Sequence, residues 1–259
     1  MATKVDPKAI VSPKAQLGDG VTVGPFTIIE DDVVVGEGCK IAASAYIANG
    51  ARIGRNCIIH HGAVVSNVPQ DLKYAGEETT LEIGDSTVVR EFVTLHKGTA
   101  ETGKTVIGSN CLLMANAHVA HDCRVGDNCI FANLVALAGH VTVGDWVIIG
   151  GGTPVHQFTH VGSHAMIGGG FRVIKDIPPY VLAGREPLRY EGVNVIGLRR
   201  RGFTSVQIET IENAYRVLYS SGMMYSDAIK KIESDFPPSA EITTILNFLK
   251  NSSRGIIRV

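Results

Sequence analysis

The stretch from Asn116 to Cys123, NAHVAHDC, places two histidines three residues apart and an acid directly after the second. Imidazole is the commonest metal ligand in proteins, and near neutral pH it is also the side chain best suited to remove a proton from a hydroxyl. His118 and His121 are therefore candidates for either chemistry. Two further histidines, His140 and His156, lie in the short segments LAGHV and PVHQF. Whether these four histidines lie close together depends on the secondary structure in which they occur.

A repeat of six residues organises most of the chain. Aliphatic residues or Phe recur at every sixth position from Val11 to Val65, from Ile83 to Leu95 and from Ile107 to Val173, with mostly small residues four places later. A period of six fits neither a 3.6-residue helix nor an alternating strand. Hexapeptide repeats are typical of a parallel β-helix. With 18 residues in a three-sided turn, the repeat predicts roughly nine turns, which at ~4.8 Å per turn form a prism about 45 Å tall.

Two polar segments interrupt this repeat. Residues 66–82 contain Asp71 and Glu77 where the six-residue step requires aliphatic side chains, and residues 100–105 read AETGKT. Both segments are predicted to be loops pushed out of the wall, and loops on a rigid scaffold often carry function.

The repeat ends after Val173, where two prolines follow in DIPPY. Three later segments show apolar residues at three- and four-residue spacing with Ser or Thr at suitable capping positions, which predicts helices over residues 206–221, 225–236 and 239–252. We therefore predict a β-helix domain over residues 1–188 and an α-helical C-terminal domain over residues 189–259.

Composition excludes several classes of protein. The 259 residues are 45% hydrophobic, enough for a core, and the net charge of −1 provides no global field to attract nucleic acid or a membrane surface. No stretch approaches the roughly 20 apolar residues of a membrane helix, and the N-terminal residues do not read as a secretory signal. A cytoplasmic protein is expected. Its five cysteines fall in the small-residue position of the repeat, which predicts buried thiols.

A turn of three hexapeptides brings the candidate histidines together, because residues separated by one full turn lie above one another. Six residues converge within about three layers of one face: His118, His121, Gly139, His140, His156 and Gln157. One interpretation is a zinc site, as on the similar prisms of γ-class carbonic anhydrases. The other is a general base, with Asp71 as the acid that orients it and a backbone N–H that binds an oxyanion. Spacing alone leaves both open.

The segments NVPQDLKYAGEET, NAHVAHDCRVGDN, LAGHVTVGD, PVHQF and GVNVIGLRRRGF resemble the UDP-N-acetylglucosamine O-acyltransferases of lipid A synthesis, within the hexapeptide acyltransferase superfamily. The likeness extends to the terminal SSRGIIR. It implies a mainly β protein, a left-handed parallel β-helix with a small α-helical C-terminal subdomain. It also implies a cytoplasmic homotrimer with active sites between subunits. The implied reaction is the first step of lipid A biosynthesis, transfer of an (R)-3-hydroxyacyl group from acyl carrier protein to the 3-hydroxyl of UDP-N-acetylglucosamine.

The same resemblance implies roles for individual residues. His121 would be the general base, Asp71 rather than the adjacent Asp122 its orienting partner, and the Gly139 N–H the donor to the oxyanion. The positions matched to substrate binding are Gln70, Lys73, His118, His140, His156, Gln157, Asn194, Arg200 and Arg201. For the arginine run, a solvent-exposed helix start is the alternative. No cofactor and no metal are expected, because the acyl carrier protein thioester is itself a substrate.

Two positions bear on specificity. Family members often carry an acid where Ile196 stands, which puts one nucleotide contact in doubt. Gly169 matches a position where bulkier residues accompany shorter acyl chains, so a longer hydroxyacyl donor is expected. Two alternative functions stay open, a zinc-dependent hydratase and a related sugar N-acyltransferase. The latter is disfavoured because a repeat that starts at residue 11 leaves no room for that family's N-terminal uridine-binding domain.

Overall fold

The computed structural model describes residues 2–259 and contains 27 short strands and four helices. The first nine strands are β1 (Lys4–Val5), β2 (Ile10–Val11), β3 (Gln16–Leu17), β4 (Thr22–Val23), β5 (Ile28–Ile29), β6 (Val33–Val35), β7 (Lys40–Ile41), β8 (Tyr46–Ile47) and β9 (Ala51–Ile53). The next nine are β10 (Ile58–Ile59), β11 (Val64–Asn67), β12 (Thr80–Ile83), β13 (Val88–Val89), β14 (Thr94–His96), β15 (Lys104–Ile107), β16 (Leu112–Leu113), β17 (His118–Val119) and β18 (Arg124–Val125). The last nine are β19 (Ile130–Phe131), β20 (Ala136–Leu137), β21 (Thr142–Val143), β22 (Ile148–Ile149), β23 (Pro154–Val155), β24 (His160–Val161), β25 (Met166–Ile167), β26 (Val181–Gly184) and β27 (Arg189–Val193).

The strands stack in three sheets that form the sides of a prism. Every third strand shares a sheet: β1, β4, β7 and onward to β25 form one, β2 to β23 the second and β3 to β24 the third. All these pairings are parallel, and Thr22 pairs with Lys40, which pairs with Ile58. Pairing partners are thus separated by three hexapeptides, which confirms the parallel β-helix predicted from the repeat.

The interior is filled by the two repeating positions. The aliphatic residues of the six-step, such as Ile47, Leu95 and Leu137, have no exposed surface. Residues in the small position often donate a hydrogen bond to a corner carbonyl of the next coil: Thr27 to Ala42 at 2.7 Å is one case. All five cysteines are free and buried in this position, as predicted, and those thiols replace threonine hydroxyls as donors. Small polar groups therefore satisfy carbonyls that would otherwise be buried unpaired.

Two loops leave the wall of the prism. They comprise residues 68–79 and residues 97–103, somewhat different from the predicted bounds because Leu81 is fully buried and belongs to a strand. Leu81 pairs with Ala51, which lies farther back along the chain than one regular turn, so the first loop is inserted without disturbing the stack. A loop of this kind can be long while the scaffold keeps its register.

Beyond the coil, a hairpin and four helices complete the chain. β26 pairs parallel with β25 and antiparallel with β27, so strand structure continues to Val193 across the predicted domain boundary at residue 188. The helices are α1 (Val195–Arg200), α2 (Ser205–Ser220), α3 (Tyr225–Asp235) and α4 (Ala240–Asn251). The last three confirm the predicted helices, and α1 was not predicted. Within residues 2–259, no helix has the length and apolar character needed to cross a bilayer.

Buried Asp176 fastens the C-terminal segment to the end of the coil. Its carboxylate accepts hydrogen bonds from the His160 N–H at 2.8 Å and from the Ser252 hydroxyl at 2.7 Å. Its backbone also pairs with Gly255 and Ile257. A charged hydrogen-bond acceptor with no exposed surface therefore links the two predicted domains.

Candidate active site

A cavity of about 740 Å³ lies where both extruded loops meet the wall of the prism. The first loop contributes six lining residues: Gln70, Asp71, Leu72, Lys73, Tyr74 and Glu77. The second loop contributes Thr99, Ala100 and Glu101, and the wall contributes His121, His140, Gln157 and Phe158. Six residues predicted from the sequence thus share this cavity, namely Gln70, Asp71, Lys73, His121, His140 and Gln157.

His121 is paired with the acid next to it in sequence. Its Nδ1 lies 2.7 Å from Oδ2 of Asp122, whose side chain has no exposed surface. The prediction that Asp71 orients His121 is therefore wrong in this structure. The Asp71 carboxylate instead accepts from the Lys73 N–H at 3.0 Å, within its own loop. The physical reason lies in the surroundings of the two acids. Hydrogen bonds from Thr99 hold the buried Asp122 carboxylate beside His121, whereas Asp71 is bonded within its own loop.

The carboxylate of Asp122 is ionised at any ordinary pH. Burial acts to raise the pKa of Asp122, but hydrogen bonds from Thr102, His121 and Thr99 outweigh burial and hold the pKa at about 2. A fixed negative charge beside Nδ1 favours the tautomer of His121 that carries its proton there. The lone pair of Nε2 is then available, and that atom has no hydrogen-bond partner within residues 2–259.

His140 forms the next layer of the same wall. Its ring stacks on Phe158 with centroids 4.5 Å apart and meets the ring of His121 edge-on at 5.1 Å. Its Nε2 lies 3.6 Å from a carboxylate oxygen of Glu101 and 3.7 Å from Asp122. His140 therefore closes one side of the cavity and carries a polar edge toward the reacting position.

Gly139 is the residue that makes room for His121. A Cβ placed on Gly139 would lie 2.6 Å from Cε1 and 2.7 Å from Nε2 of the His121 ring. Among the described residues, the buried Gly139 N–H has no hydrogen-bond acceptor. The backbone thus presents an unpaired donor directly beside the imidazole, as an oxyanion site requires.

His118 lies outside the cavity lining, although the sequence places it only three residues from His121. The Thr94 hydroxyl is 2.8 Å from its Nδ1, and its ring contacts that of His96 at 5.2 Å. Burial, and then the neighbouring His96, lower the pKa of His118 to about 4. His118 is therefore neutral under ordinary conditions. Its predicted role in substrate binding stays a prediction.

His156 is exposed beside Gln157, and Gly169 lies at an exposed turn outside the lining of the cavity. At Gly169 an added Cβ would lie 2.9 Å from the carbonyl oxygen of Gly151 in the coil below, so the position is sterically restricted. The predicted contributions of His156 to substrate binding and of Gly169 to acyl-chain length stay predictions.

The residues predicted to hold the nucleotide lie around α1, away from the cavity of the single chain. Asn194 is buried, donates to the His164 carbonyl at 2.9 Å and accepts from the Gly197 N–H as the N-cap of α1. Arg201 packs over the Trp146 ring at 5.4 Å. Arg200 is exposed at the last position of α1. The arginines thus end a helix instead of starting one, and Arg199 and Arg200 are both exposed, whereas Arg201 is packed on Trp146.

Three side chains of the site also have the composition of a metal centre. Ligand atoms of His121, Asp122 and His140 lie within 4.8 Å of one another. The distance of 2.7 Å between His121 and Asp122 is that of a hydrogen bond. Two ligands of a tetrahedral zinc with bonds of about 2.0–2.1 Å would lie about 3.3 Å apart. The geometry therefore fits a proton-transfer pair better than a zinc site.

Comparison with known proteins decides the family. The family described as UDP N-acetylglucosamine O-acyltransferase, domain 2, matches residues 176–257, and the bacterial transferase hexapeptide family matches residues 32–67 and 104–136. A relative from Chlorobaculum parvum named "Acyl-[acyl-carrier-protein]--UDP-N-acetylglucosamine O-acyltransferase" is 60% identical, over 98% of this chain and 96% of its own. This chain belongs to the UDP-N-acetylglucosamine O-acyltransferase family.

Other members of the UDP-N-acetylglucosamine O-acyltransferase family agree with this assignment. A relative from Chlorobium phaeobacteroides with the same name is 64% identical, over 95% of this chain and 94% of its own. The crystal structure of LpxA from Bacteroides fragilis 9343, described as a UDP-N-acetylglucosamine acyltransferase, superimposes with a TM-score of 0.96 at 50% identity. The superposition covers 98% of this chain and 99% of that one. The fold is therefore the left-handed parallel β-helix with a small helical C-terminal part.

Sequence reasoning missed several residues of the site. Asp122 was considered and set aside, and Phe158, Thr99 and Glu101 were not singled out. Thr99 lies one residue before the predicted second loop, so the polar composition of AETGKT pointed to the region without identifying the residue. The left-handed corner at Asp122 follows the repeat, since every sixth residue from Asn110 to Gly170 has a positive φ. The hydrogen bonds from Thr99 to Asp122 bridge 23 residues and have no local sequence signal.

Proposed function

We propose that this protein transfers an (R)-3-hydroxyacyl group from acyl carrier protein to the 3-hydroxyl of UDP-N-acetylglucosamine, the first step of lipid A biosynthesis. The observation that carries the proposal is the His121–Asp122 pair, at 2.7 Å, in the wall of a cavity built by two loops of a family acyltransferase. Such a pair activates a hydroxyl nucleophile without needing a covalent enzyme intermediate.

The reaction proceeds as a direct transfer. Nε2 of His121 accepts the proton of the sugar hydroxyl while the hydroxyl oxygen attacks the thioester carbonyl, and Asp122 stabilises the imidazolium that forms. The N–H of Gly139 donates to the oxyanion of the tetrahedral intermediate, an interaction whose loss typically costs about 2.7–4 kcal/mol. When the C–S bond breaks, the imidazolium returns its proton to the leaving thiolate. No metal or cofactor takes part in this proposal.

Binding of the sugar nucleotide is assigned to the first loop and the wall. Lys73 and Asp71 lie in the loop with side chains that suit sugar hydroxyls, and Gln157 and His140 lie opposite them. The exposed Arg200 is assigned to the nucleotide phosphates, since its planar fork pairs with phosphate oxygens. The acidic acyl carrier protein would meet basic residues such as Arg172 and Arg216.

We also propose that three copies of the chain assemble, with each site completed by a neighbour. The first loop supports this, because the Leu72 side chain is fully exposed and Val68 is 53% exposed, apolar surface that a second subunit would cover. Arg200 lies away from the cavity of its own chain, so it would act in a neighbour's site. Sedimentation equilibrium should give three times the chain mass of 27.6 kDa, and a monomer would contradict the assembly.

The cytoplasm is the proposed compartment. The five cysteines fill the small-residue position of the coil, where the Cys39 thiol donates to the Gly54 carbonyl and the Cys129 thiol to the Gly144 carbonyl. This use of cysteine suits a compartment where glutathione keeps thiols reduced.

The experiment that tests the function offers the purified protein UDP-N-acetylglucosamine and its 3-amino analogue together with acyl carrier protein thioesters of different chain length. The mass of the product gives the acceptor atom and the preferred donor, and Gly169 predicts a longer hydroxyacyl chain. Absence of any acylated sugar nucleotide would refute the proposal. Stoichiometric zinc by elemental analysis, with loss of activity on chelation, would favour the metal centre of His121, Asp122 and His140 instead.

A further inference from the structure

The second extruded loop does more than border the cavity, because it surrounds the carboxylate of Asp122. The Thr99 N–H donates to Oδ1 at 3.0 Å and the Thr99 hydroxyl donates to Oδ2 at 2.8 Å, both in buried surroundings. The Asp122 N–H donates to the Thr105 hydroxyl at 2.8 Å. One residue of the loop therefore holds both oxygens of the acid that contacts His121.

We propose that Thr99 is a positioning residue of the reaction, because its paired N–H and hydroxyl donors fix the Asp122 carboxylate against Nδ1 of His121. This inference rests on the proposed role of His121 as the base. It assigns to the second loop a function separate from substrate contact.

The geometry singles out Thr99 among the loop residues. Thr99 is 8% exposed, and its oxygen also accepts from the Glu101 N–H at 3.3 Å, which fixes the orientation of the hydroxyl. Thr102 also contacts Oδ1, but its side chain is exposed and the same oxygen lies 2.9 Å from the Lys104 carbonyl, which competes for its single proton. Thr99 is therefore the donor that water cannot readily replace.

Without the hydrogen bonds from Thr99, the Asp122 carboxylate would no longer be held in its orientation toward His121. Asp122 has to stay ionised while buried, and its left-handed backbone conformation has to be maintained at the corner. Without the Thr99 donors the carboxylate is free to rotate toward Nε2 of His140, which is 3.7 Å away. His121 would then lose the acceptor that keeps its proton on Nδ1, and Nε2 would carry the proton for part of the time. An imidazole in that tautomer cannot accept a proton from the sugar hydroxyl.

The test compares Thr99→Val, which keeps the shape and the N–H but removes the hydroxyl, with Thr99→Ser, which restores the hydroxyl. Thr27→Val is the matched control, because Thr27 is also buried and donates one hydrogen bond in a coil distant from the site. Loss of a hydrogen bond to a charged group should lower kcat roughly tenfold in Thr99→Val with KM for both substrates within about twofold. Thr99→Ser and Thr27→Val should keep kcat within about threefold of wild type.

A second measurement does not depend on acyl transfer. Nitrogen-15 NMR of labelled histidine reports the tautomer of His121, identified by the signal missing in His121→Ala. Thr99→Val should increase the fraction of the tautomer protonated on Nε2, and Thr99→Ser should not. A thermal melting curve shows whether Thr99→Val folds. If it does not fold, Thr99→Ala is used in its place in both measurements.

The dependence of kcat/KM on pH adds a third readout, through the acid limb, where kcat/KM falls as the pH decreases. When the Asp122 carboxylate turns away from Nδ1, a protonated His121 imidazole is stabilised less, so the limb should move to lower pH in Thr99→Val. The other charged or titratable groups facing the pair are His96, His140, Glu101, Asp71, Lys73 and Glu77. All of these residues are the same in the variant, so a shift of the acid limb is caused by the loss of the Thr99 hydroxyl.

The outcomes separate the two proposals. Unchanged kcat and unchanged tautomer in Thr99→Val would overturn the positioning role, as would a loss confined to KM or a loss that serine does not restore. If the wild-type protein transfers no acyl group, the proposed function fails, and the tautomer measurement still decides the role of Thr99.

Discussion

The first coils and the coils that carry the site are built from the same repeat, yet only the second region contains the cavity lined by the candidate catalytic residues. In residues 4–65 each turn closes after three hexapeptides without an inserted loop, and the outer wall carries only surface pairs such as Lys14 with Asp31. In the coils from β11 to β24, two inserted loops leave the wall, and the second covers the buried side chain of Asp122. The regular repeat thus supplies a rigid surface, and the departures from it supply the burial and the donors that a reaction needs.

The largest expected difference between the regions concerns two histidines on the outer wall. His121→Ala should lower kcat roughly 1000-fold, because general-base catalysis typically contributes 10²–10⁴. His60→Ala, a half-buried wall histidine near Glu91 that lies outside the cavity, should keep activity near wild type. Steady-state kinetics with melting curves of both variants measure this. Equal losses in the two variants would show that the coil, and not the site, was damaged.

The second prediction separates the two acids of the site region. Asp122→Asn should lower kcat at least about 100-fold, because an amide can donate to Nδ1 and favour the wrong tautomer. Asp71→Asn should affect KM for the sugar nucleotide more than kcat, since Asp71 lines the cavity without contacting His121. Kinetic constants of both variants distinguish the roles. A larger kcat loss in Asp71→Asn would restore Asp71 as the orienting partner.

The third prediction tests how closely the wall approaches the imidazole. Gly139→Ala should lower kcat roughly tenfold or more, because its Cβ would lie 2.6 Å from Cε1 of His121 and displace the ring from the oxyanion donor. Gly184→Ala is the control, since a Cβ there meets only the Glu191 side chain at 3.4 Å. Activity and a structure of each variant would check this. A Gly139→Ala enzyme with wild-type kcat would rule out the tight fit.

The smallest expected effect concerns stability. Burial lowers the pKa of His118 and of His164 to about 4, so folding favours their neutral forms. Their contribution to stability is complete above the unfolded pKa near 6.5 and is lost as the pH falls from there through 4. The free energy of unfolding should decrease by roughly 2–3 kcal/mol per histidine, at about 1.4 kcal/mol per pKa unit.

Urea unfolding between pH 7 and pH 4 measures this loss. The His164→Gln variant should show a shallower pH dependence than wild type, because one buried titratable group is gone. His60→Ala, which changes a half-buried histidine of the wall, should keep the slope of the wild-type protein. Identical slopes in all three proteins would contradict the assignment.

Much of the architecture was predictable because the repeat is strict. Each inward position from Val23 onward to Val173 carries an aliphatic or aromatic side chain that the structure buries, and three C-terminal helices follow from their spacing and caps. The regular turn of three hexapeptides also predicts that Gly139 lies directly above His121, and the structure confirms that the two residues are in contact. Burial that repeats with a fixed period can be predicted directly from the spacing of apolar residues in the sequence.

The pairing of His121 was not predictable in the same way. The resemblance to the family pointed to Asp71, and the structure assigns the contact to Asp122, whose carboxylate the second loop holds beside His121. The same holds for Thr99, which reaches Asp122 across 23 residues only because the second loop folds over the corner. Helix α1 was missed because six residues ending in two arginines show too little periodicity.

The sequence by itself determined the coil, its register and the face on which the histidines lie, since every sixth side chain has to be buried. Only the tertiary structure decided which acid holds His121, how the second loop cages that acid and where Asn194 and Arg201 make their contacts. The reason is that the coil repeats one local geometry, which six residues specify. Hydrogen bonds between a loop and the wall depend instead on a long-range approach that no short segment encodes.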